Sequence, residues 1–210
     1  MTAHPDLVTE PIINSPYCEP EAYWHVRHGE PAIKEEGRRP AYIFQPAGGG
    51  ADWDLSDGTL VESRHFDRAY ELALVNRIRG QVKAWREAGY PGASGMTLEL
   101  LRYWQRDGRL WPLFFAQLEA AETIIFLAEA RDDFRQGINV PRDIEASDGT
   151  WFRRHACKMA TGTGKTTVMG MLAAWSILNK LNSRGDARFS DVVLIVCPNV
   201  TIRNQIGRAH

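Results

Sequence analysis

The sequence contains little cysteine and no long apolar run. Its three cysteines, Cys18, Cys157 and Cys197, are widely separated among 210 residues and never form a C-x-x-C pair. This spacing argues against a disulfide scaffold or a four-cysteine zinc site, and free thiols fit a cytoplasmic location. No stretch reaches the roughly 18 consecutive apolar residues that a transmembrane helix needs, so we expect no membrane partner.

A strong charge of one sign is also lacking, because the formal net charge is -1. The whole chain therefore carries no general signature of nucleic-acid binding. The charges are nevertheless separated along the sequence. Residues 1–62 carry 4 basic and 11 acidic side chains, and residues 63–210 carry 21 basic and 15 acidic side chains. The basic excess of the second part permits contact with phosphates, although a solvated mixed surface is the simpler explanation.

The first 150 residues divide into two parts. Residues 1–62 are rich in proline, glycine and aromatic side chains, which predicts irregular structure with short strands such as 41–45. Residues 63–150 instead contain apolar side chains at every third or fourth position, the pattern of amphipathic helices. From this pattern we predict helices over 66–88, 97–104 and 112–131, with Thr97 as the cap of the second helix.

The third part, residues 151–210, contains three segments of predicted regular structure. We predict a strand over 152–159, a helix over 166–181 and a second strand over 192–197. The last segment is a continuous apolar run rich in β-branched side chains, which is typical of a strand buried on both faces of a parallel sheet. A strand, a helix and a strand in this order form one βαβ unit, so the sequence predicts an α/β fold.

The segment between the first of these strands and the helix reads A-T-G-T-G-K-T, from Ala160 to Thr166. Backbone N–H groups can surround phosphates only where side chains do not intrude, which explains Gly162 and Gly164. The following helix contributes unpaired N–H groups and its dipole. Lys165 supplies a positive charge for the β- and γ-phosphates, and the Thr166 hydroxyl is suited to Mg²⁺.

The strict phosphate-loop pattern has a glycine six residues before the lysine, where this chain has Met159. The alternative interpretation is a glycine-rich turn that carries a solvated lysine. A preceding strand and a following helix are the context that a phosphate loop requires, and both are predicted here. We therefore interpret the segment as a phosphate-binding loop.

Together with the apolar stretch T-T-V-M-G-M-L-A-A-W, this loop resembles motif I of superfamily-two helicases. More narrowly, it is similar to the helicase (Res) subunit of type III restriction enzymes and to their DEAD/DEAH-box relatives. L-F-F-A-Q-L-E-A-A-E-T-I-I-F-L-A-E resembles the glutamine-bearing segment before motif I, and D-V-V-L-I-V-C-P-N-V-T-I-R-N resembles the next strand and motif Ia. P-I-I-N-S-P and E-G-R-R-P-A-Y resemble the N-terminal region of one restriction-helicase subgroup. The similarity extends from about Pro11 to Asn204.

The resemblance implies the N-terminal part of a RecA-like phosphate-loop domain and a role in an ATP-dependent DNA helicase or translocase. Its cofactors would be ATP and Mg²⁺, and its partners would be double-stranded DNA and a modification or recognition subunit. Thr166 would also bind the Mg²⁺ ion. By the same resemblance, ATP would be bound by Thr161, Gly162, Thr163, Gly164, Lys165, Thr166 and Thr167.

Three further residues receive a role through the resemblance. Gln117 would read the adenine edge of ATP, since an amide both donates and accepts hydrogen bonds. A polar position on an amphipathic helix explains Gln117 equally well. Thr201 and Arg203 lie where motif Ia contacts the DNA backbone, and an ordinary exposed arginine is the alternative for Arg203.

The groups that hydrolyse ATP are missing from the sequence. Hydrolysis needs a carboxylate for Mg²⁺ and a group that orients the attacking water, which these families carry as an Asp-Glu pair. No Asp-Glu dipeptide occurs here, and only 44 residues follow Thr166. None of the five lysines follows an acidic residue by two positions, which excludes the common Asp…Glu-x-Lys nuclease arrangement.

From the missing groups we expect the ATP-binding N-terminal portion of a longer helicase, with catalysis completed elsewhere. The final residues, 205–210, resemble the translation of a DNA-sequencing adapter. The alternative expectation is a truncated, catalytically inactive remnant or an interaction module, in which the apolar segment 192–197 would lack neighbours.

Overall fold

The computed structural model describes residues 10–26, 31–46, 60–62, 67–140 and 154–196. Within these ranges, short strands precede the helices along the chain. The strands are β1 (Ala22–His25), β2 (Ile33–Glu36), β3 (Tyr42–Pro46), β4 (Leu60–Glu62) and β5 (Asp67–Glu71). The helices are α1 (Ala73–Glu87), α2 (Gly95–Gln105), α3 (Phe115–Glu129) and α4 (Lys165–Asn182).

The strands form two small sheets in which every neighbouring pair is antiparallel. β1 pairs with β2, and β5 lies between β3 and β4 in the second sheet. Tyr23 lies opposite Glu35 in the first sheet, and Tyr42 lies opposite Glu71 in the second. The described ranges contain no parallel strand pair, so the predicted RecA-like α/β fold with a parallel sheet is wrong.

The predicted βαβ unit does not form, because the described parts of its two strands are irregular. Residues 154–159 and 192–196 have no regular secondary structure, and no backbone hydrogen bond joins them. A strand is stable only where neighbouring strands pair with its backbone N–H and C=O groups. The predicted helix does form, as α4, and it packs on the helices α2 and α3. Without a sheet to cover them, the side chains from Val192 to Val196 stay 42–84% exposed.

Packing of helix on helix forms the hydrophobic core. α3 is central, since it packs on both α1 and α4, while α2 packs on α4. The apolar side chains of α3 are not restricted to one face, which is typical of a buried helix. Within the described ranges, no helix is long and apolar enough to cross a membrane. The aromatic side chains buried in the core are those of Trp85, Trp104, Phe126, Trp175 and Phe189.

Two helices begin later than the sequence predicts. α1 begins at Ala73 and not at residue 66, because residues 67–71 pair with both neighbouring strands as β5. α3 begins at Phe115, although the sequence predicts a start at Pro112. For α1 the apolar periodicity continues before the true start of the helix, and strand pairing decides the boundary. For α3 the predicted start rests on the preference of proline for the first turn, but the helix begins after Phe114, whose N–H is capped by Gln117.

Ser94 caps the start of α2. Its hydroxyl accepts the Thr97 N–H at 3.0 Å, which satisfies one of the free donors of the first turn. The prediction that Thr97 itself is the cap is wrong, because Thr97 lies inside the helix and is fully buried. Serine and threonine have similar capping preferences, so the sequence alone does not choose between them.

A buried polar network joins α2, α3 and α4. The Glu129 carboxylate, 4% exposed, accepts hydrogen bonds at 2.7 Å from the Thr97 hydroxyl and the Trp175 indole N–H. It also accepts the Ser94 backbone N–H at 2.7 Å. The Asn179 amide donates to the Thr97 hydroxyl oxygen at 3.0 Å. Because buried polar groups are stable only when paired, this network fixes the position of α4 relative to α3.

Candidate phosphate-binding loop

Residues 160–164 form the turn that leads into α4. Gly162 and Gly164 adopt the left-handed backbone conformation, with φ of +82° and +78°. Glycine adopts this conformation without steric strain, whereas a residue with a Cβ does not. Gly164 is also the residue that precedes the first turn of α4. The backbone of the turn therefore requires both glycines of the motif.

The side chain of Lys165 folds back over this turn. Its ammonium group donates hydrogen bonds to the carbonyl oxygens of Met159 at 3.1 Å and Ala160 at 2.9 Å. The Thr163 hydroxyl donates to the same Ala160 oxygen at 2.7 Å. Lys165 is exposed, so its positive charge lies at the surface of the turn, where an anion can reach it.

The first turn of α4 offers free backbone donors. Thr167 and Val168 donate to the Gly164 carbonyl at 3.0 and 3.3 Å. The N–H groups of Lys165 and Thr166 have no acceptor within the part of the chain that the structure describes. Free donors at the positive end of a helix dipole attract anions. No acidic side chain lies in this first turn to repel an anion.

Gln117 lies against this turn, although it belongs to α3. Its side chain is only 6% exposed, and its Oε1 accepts the Phe114 N–H at 2.9 Å, which caps the start of α3. Its amide nitrogen occupies the space that a Cβ on Gly164 would need, and its Cδ lies 3.1 Å from that position. Two predicted parts of the site that are far apart in sequence are therefore in contact.

The structure describes some of the other predicted site residues and not others. Thr161, Thr166 and Thr167 are exposed at the turn and at the start of α4. Thr201 and Arg203, predicted to contact DNA, lie outside the described residues. Among residues that the structure describes, no group of three His, Cys, Asp or Glu side chains is close enough to hold a metal ion.

Sequence patterns did not reveal the contacts that position this turn and α4. The capping role of Gln117 has only half of the usual sequence signal, because a capping box combines this glutamine with Ser or Thr at the cap, where this chain has Phe114. The network around Glu129 has no such signal, because its donors come from separate helices. The packing of Gln117 against Gly164 likewise requires knowing that α3 and α4 are neighbours.

Comparison of the chain with protein-family models, with curated proteins and with solved structures finds no match. The resemblance to helicases therefore rests on the sequence motifs alone.

Proposed function

We propose that the turn before α4 binds the phosphates of ATP together with Mg²⁺. The observation that carries this proposal is the convergence of the Lys165 ammonium group and the free N–H groups of α4 on one glycine turn. Charge-assisted hydrogen bonds to phosphate oxygens are the strong ones in proteins. The Thr166 hydroxyl would bind Mg²⁺, and the phosphates and water would complete its coordination. The remaining contacts would come from Thr161, Gly162, Thr163, Gly164 and Thr167.

In this proposal Gln117 positions the turn by packing against Gly164. Its Oε1 is engaged by the Phe114 N–H, and its amide packs on Gly164. A contact with the adenine edge of ATP would require the Gln117 amide to release Phe114. Gln117 therefore contributes to nucleotide binding because it holds Gly164 in position. After such a rearrangement, its amide would also contact the adenine edge.

On the resemblance of the motifs, we also propose a wider role. The chain would be the ATP-binding part of a cytoplasmic, ATP-dependent DNA helicase or translocase related to type III restriction subunits. Double-stranded DNA and a modification or recognition subunit would be its partners. The proposal for this chain is nucleotide binding and not hydrolysis, because the sequence lacks the Asp-Glu pair of these families.

Calorimetric titration of the full chain with Mg²⁺ and ATP tests the nucleotide site. We expect Lys165→Ala to weaken ATP binding at least about tenfold, because a hydrogen bond to a charged group contributes about 1.5–3 kcal/mol. Lys158→Ala, which removes an exposed charge near the turn, and Lys180→Ala, at the other end of α4, are matched controls. Equal ATP affinity in Lys165→Ala and the controls would rule out the site.

A second candidate function, a catalytically inactive interaction module, is favoured by a different observation. The apolar side chains from Val192 to Val196 are exposed in the structure, and that of Leu194 is the most exposed of them at 84%. Exposed apolar surface of this kind is typical of protein contacts.

Binding of a hydrophobic dye, followed by fluorescence, tests this second function. We expect the parent chain to bind the dye and Leu194→Asp to bind it more weakly, because the new carboxylate interrupts the exposed apolar surface. This result together with no measurable ATP binding would favour the interaction module. Equal dye binding by the two chains would count against it.

A further inference from the structure

A basic cavity lies where the connection between β2 and β3 meets α1. Its volume is about 260 Å³, sufficient for a phosphate group. Two arginines reach it from the E-G-R-R-P-A-Y segment, and an arginine and a lysine reach it from neighbouring turns of α1. The basic residues that line it are Arg38, Arg39, Arg79 and Lys83. Its acidic lining residues are Glu19 and Glu71.

Two of the four basic side chains have carboxylate partners. The Lys83 ammonium lies 3.1 Å from a carboxylate oxygen of Glu19. Both terminal nitrogens of Arg38 donate to the carboxylate of Glu119 on α3. These two pairs hold the walls of the cavity together and neutralise their own charges.

The other two arginines are not neutralised in this way. Within the described ranges, Arg39 and Arg79 make no hydrogen bond or ion pair. Arg39 is exposed and Arg79 is half-buried. The carboxylate that acts on Arg79 belongs to Glu119, which Arg38 already holds. Arg79 is therefore a partly desolvated cation beside a second guanidinium.

The direction in which the pKa of Arg79 is shifted agrees with this geometry. Burial, followed by the positive charge of Arg38, lowers the pKa of Arg79 from its ordinary value. A cation in such surroundings is stabilised when an anion enters, because the anion replaces lost hydration and offsets the repulsion between the guanidinium groups.

We propose that Arg39 and Arg79 bind a phosphate group in this cavity, whose walls are held in place by the ion pairs of Arg38 and Lys83. A guanidinium group matches two phosphate oxygens with paired N–H donors. A free phosphate ion and a backbone phosphate of a nucleic acid present the same oxygens. The residues of this site are separate from those of the turn before α4, so the inference does not depend on the proposed nucleotide site.

Titrations of the full chain that carries Lys165→Ala test the inference, because phosphate bound at the turn then does not contribute. The two probes are inorganic phosphate, measured by calorimetry, and a duplex oligonucleotide, measured by fluorescence anisotropy. We expect Arg79→Gln in this background to weaken binding about tenfold, the loss of one charge-assisted hydrogen bond. Arg102→Gln, which removes an exposed arginine on α2, is the matched control.

Each outcome of these titrations either supports or overturns the proposed phosphate site. Arg79-dependent binding of both probes supports a general phosphate site, and Arg79-dependent binding of the oligonucleotide alone identifies a nucleic-acid backbone as the source. Binding that Arg79→Gln and Arg102→Gln weaken equally, or no binding of either probe, overturns the inference. If circular dichroism reveals that Arg79→Gln does not fold, the exposed Arg39 carries the same test as Arg39→Gln.

Discussion

The amide of Gln117 fills the space beside Gly164 in which any larger residue would place its Cβ. Gly162, two residues earlier, has the same left-handed backbone, but no atom of the described residues lies within 4 Å of the position of its Cβ. The two glycines therefore separate two physical effects. A substitution to alanine would strain the φ angle at both positions, whereas it would cause steric overlap with Gln117 only at Gly164.

We predict that Gly164→Ala is more destabilising than Gly162→Ala. Alanine in the left-handed region costs about 1–2 kcal/mol at either position. At Gly164 the methyl group also overlaps the Gln117 amide, and such overpacking adds about 1–3 kcal/mol. Urea unfolding of both variants measures the difference. Equal losses of unfolding free energy would contradict the packing of Gln117 on the turn.

We predict that Gln117→Ala partly rescues Gly164→Ala. Gln117→Ala alone removes the cap of α3 and costs about 1 kcal/mol. In the double variant the shorter side chain leaves room for the new methyl group, so the combined loss is smaller than the sum of the single losses by about 1 kcal/mol. Urea unfolding of the four chains of this cycle measures the coupling. Strict additivity would mean that residues 117 and 164 do not touch.

We predict that Glu129→Gln loosens the packing of α4. The carboxylate accepts three hydrogen bonds at 2.7 Å, and a carboxamide presents an N–H₂ group to at least one of these donors. An unsatisfied buried group costs about 1–3 kcal/mol. Glu99→Gln, on the exposed side of α2, is the control and should leave stability unchanged. Thermal unfolding followed by circular dichroism compares the two, and equal melting temperatures would contradict a structural role for Glu129.

Tyr90 makes the stability of the chain depend on alkaline pH. Its hydroxyl donates to the Glu122 carboxylate at 2.7 Å, and burial, followed by the charge of Glu122, raises the pKa of Tyr90. The folded chain then holds the phenol proton more tightly than the unfolded chain, whose pKa is about 10. The corresponding stability is complete below that pH and is lost as the pH rises from it toward the folded pKa.

We predict that Tyr90→Phe removes this alkaline loss. The variant loses one hydrogen bond and about 1.5–3 kcal/mol at neutral pH, because the bond is to a charged group. Between about pH 9 and pH 11, however, its unfolding free energy should fall less than that of the parent chain. Urea unfolding across this range measures both slopes. Parallel slopes would mean that Tyr90 titrates alike in the folded and unfolded chains.

The sequence was sufficient for local features and insufficient for their arrangement. The sequence correctly predicted a helix over most of α4. It also predicted a glycine turn before this helix, and the positive φ angles of Gly162 and Gly164 agree with that prediction. The prediction of a buried strand over 192–197 is wrong for its described residues, 192–196. Their apolar, β-branched composition describes a preference, but a strand also needs neighbouring strands, and the described ranges place none beside it.

Sequence patterns also did not predict the contacts between segments that are distant in the chain. The approach of Arg79 to Arg38 depends on how the β2–β3 connection meets α1, which no local spacing encodes. The helix-on-helix core has the same origin, because the apolar side chains of α3 are not restricted to one face and could have packed on either a sheet or other helices.

We expect the exposed run from Val192 to Val196 to promote self-association of the protein. Short uncharged segments of high β-propensity that lack proline can stack with their own copies into cross-β assemblies. Asp191 and Pro198 flank the run in the sequence, and a charge and a proline in such places act as gatekeepers against stacking. We therefore expect Asp191→Val, which removes the charge beside the run, to lower the protein concentration at which turbidity appears.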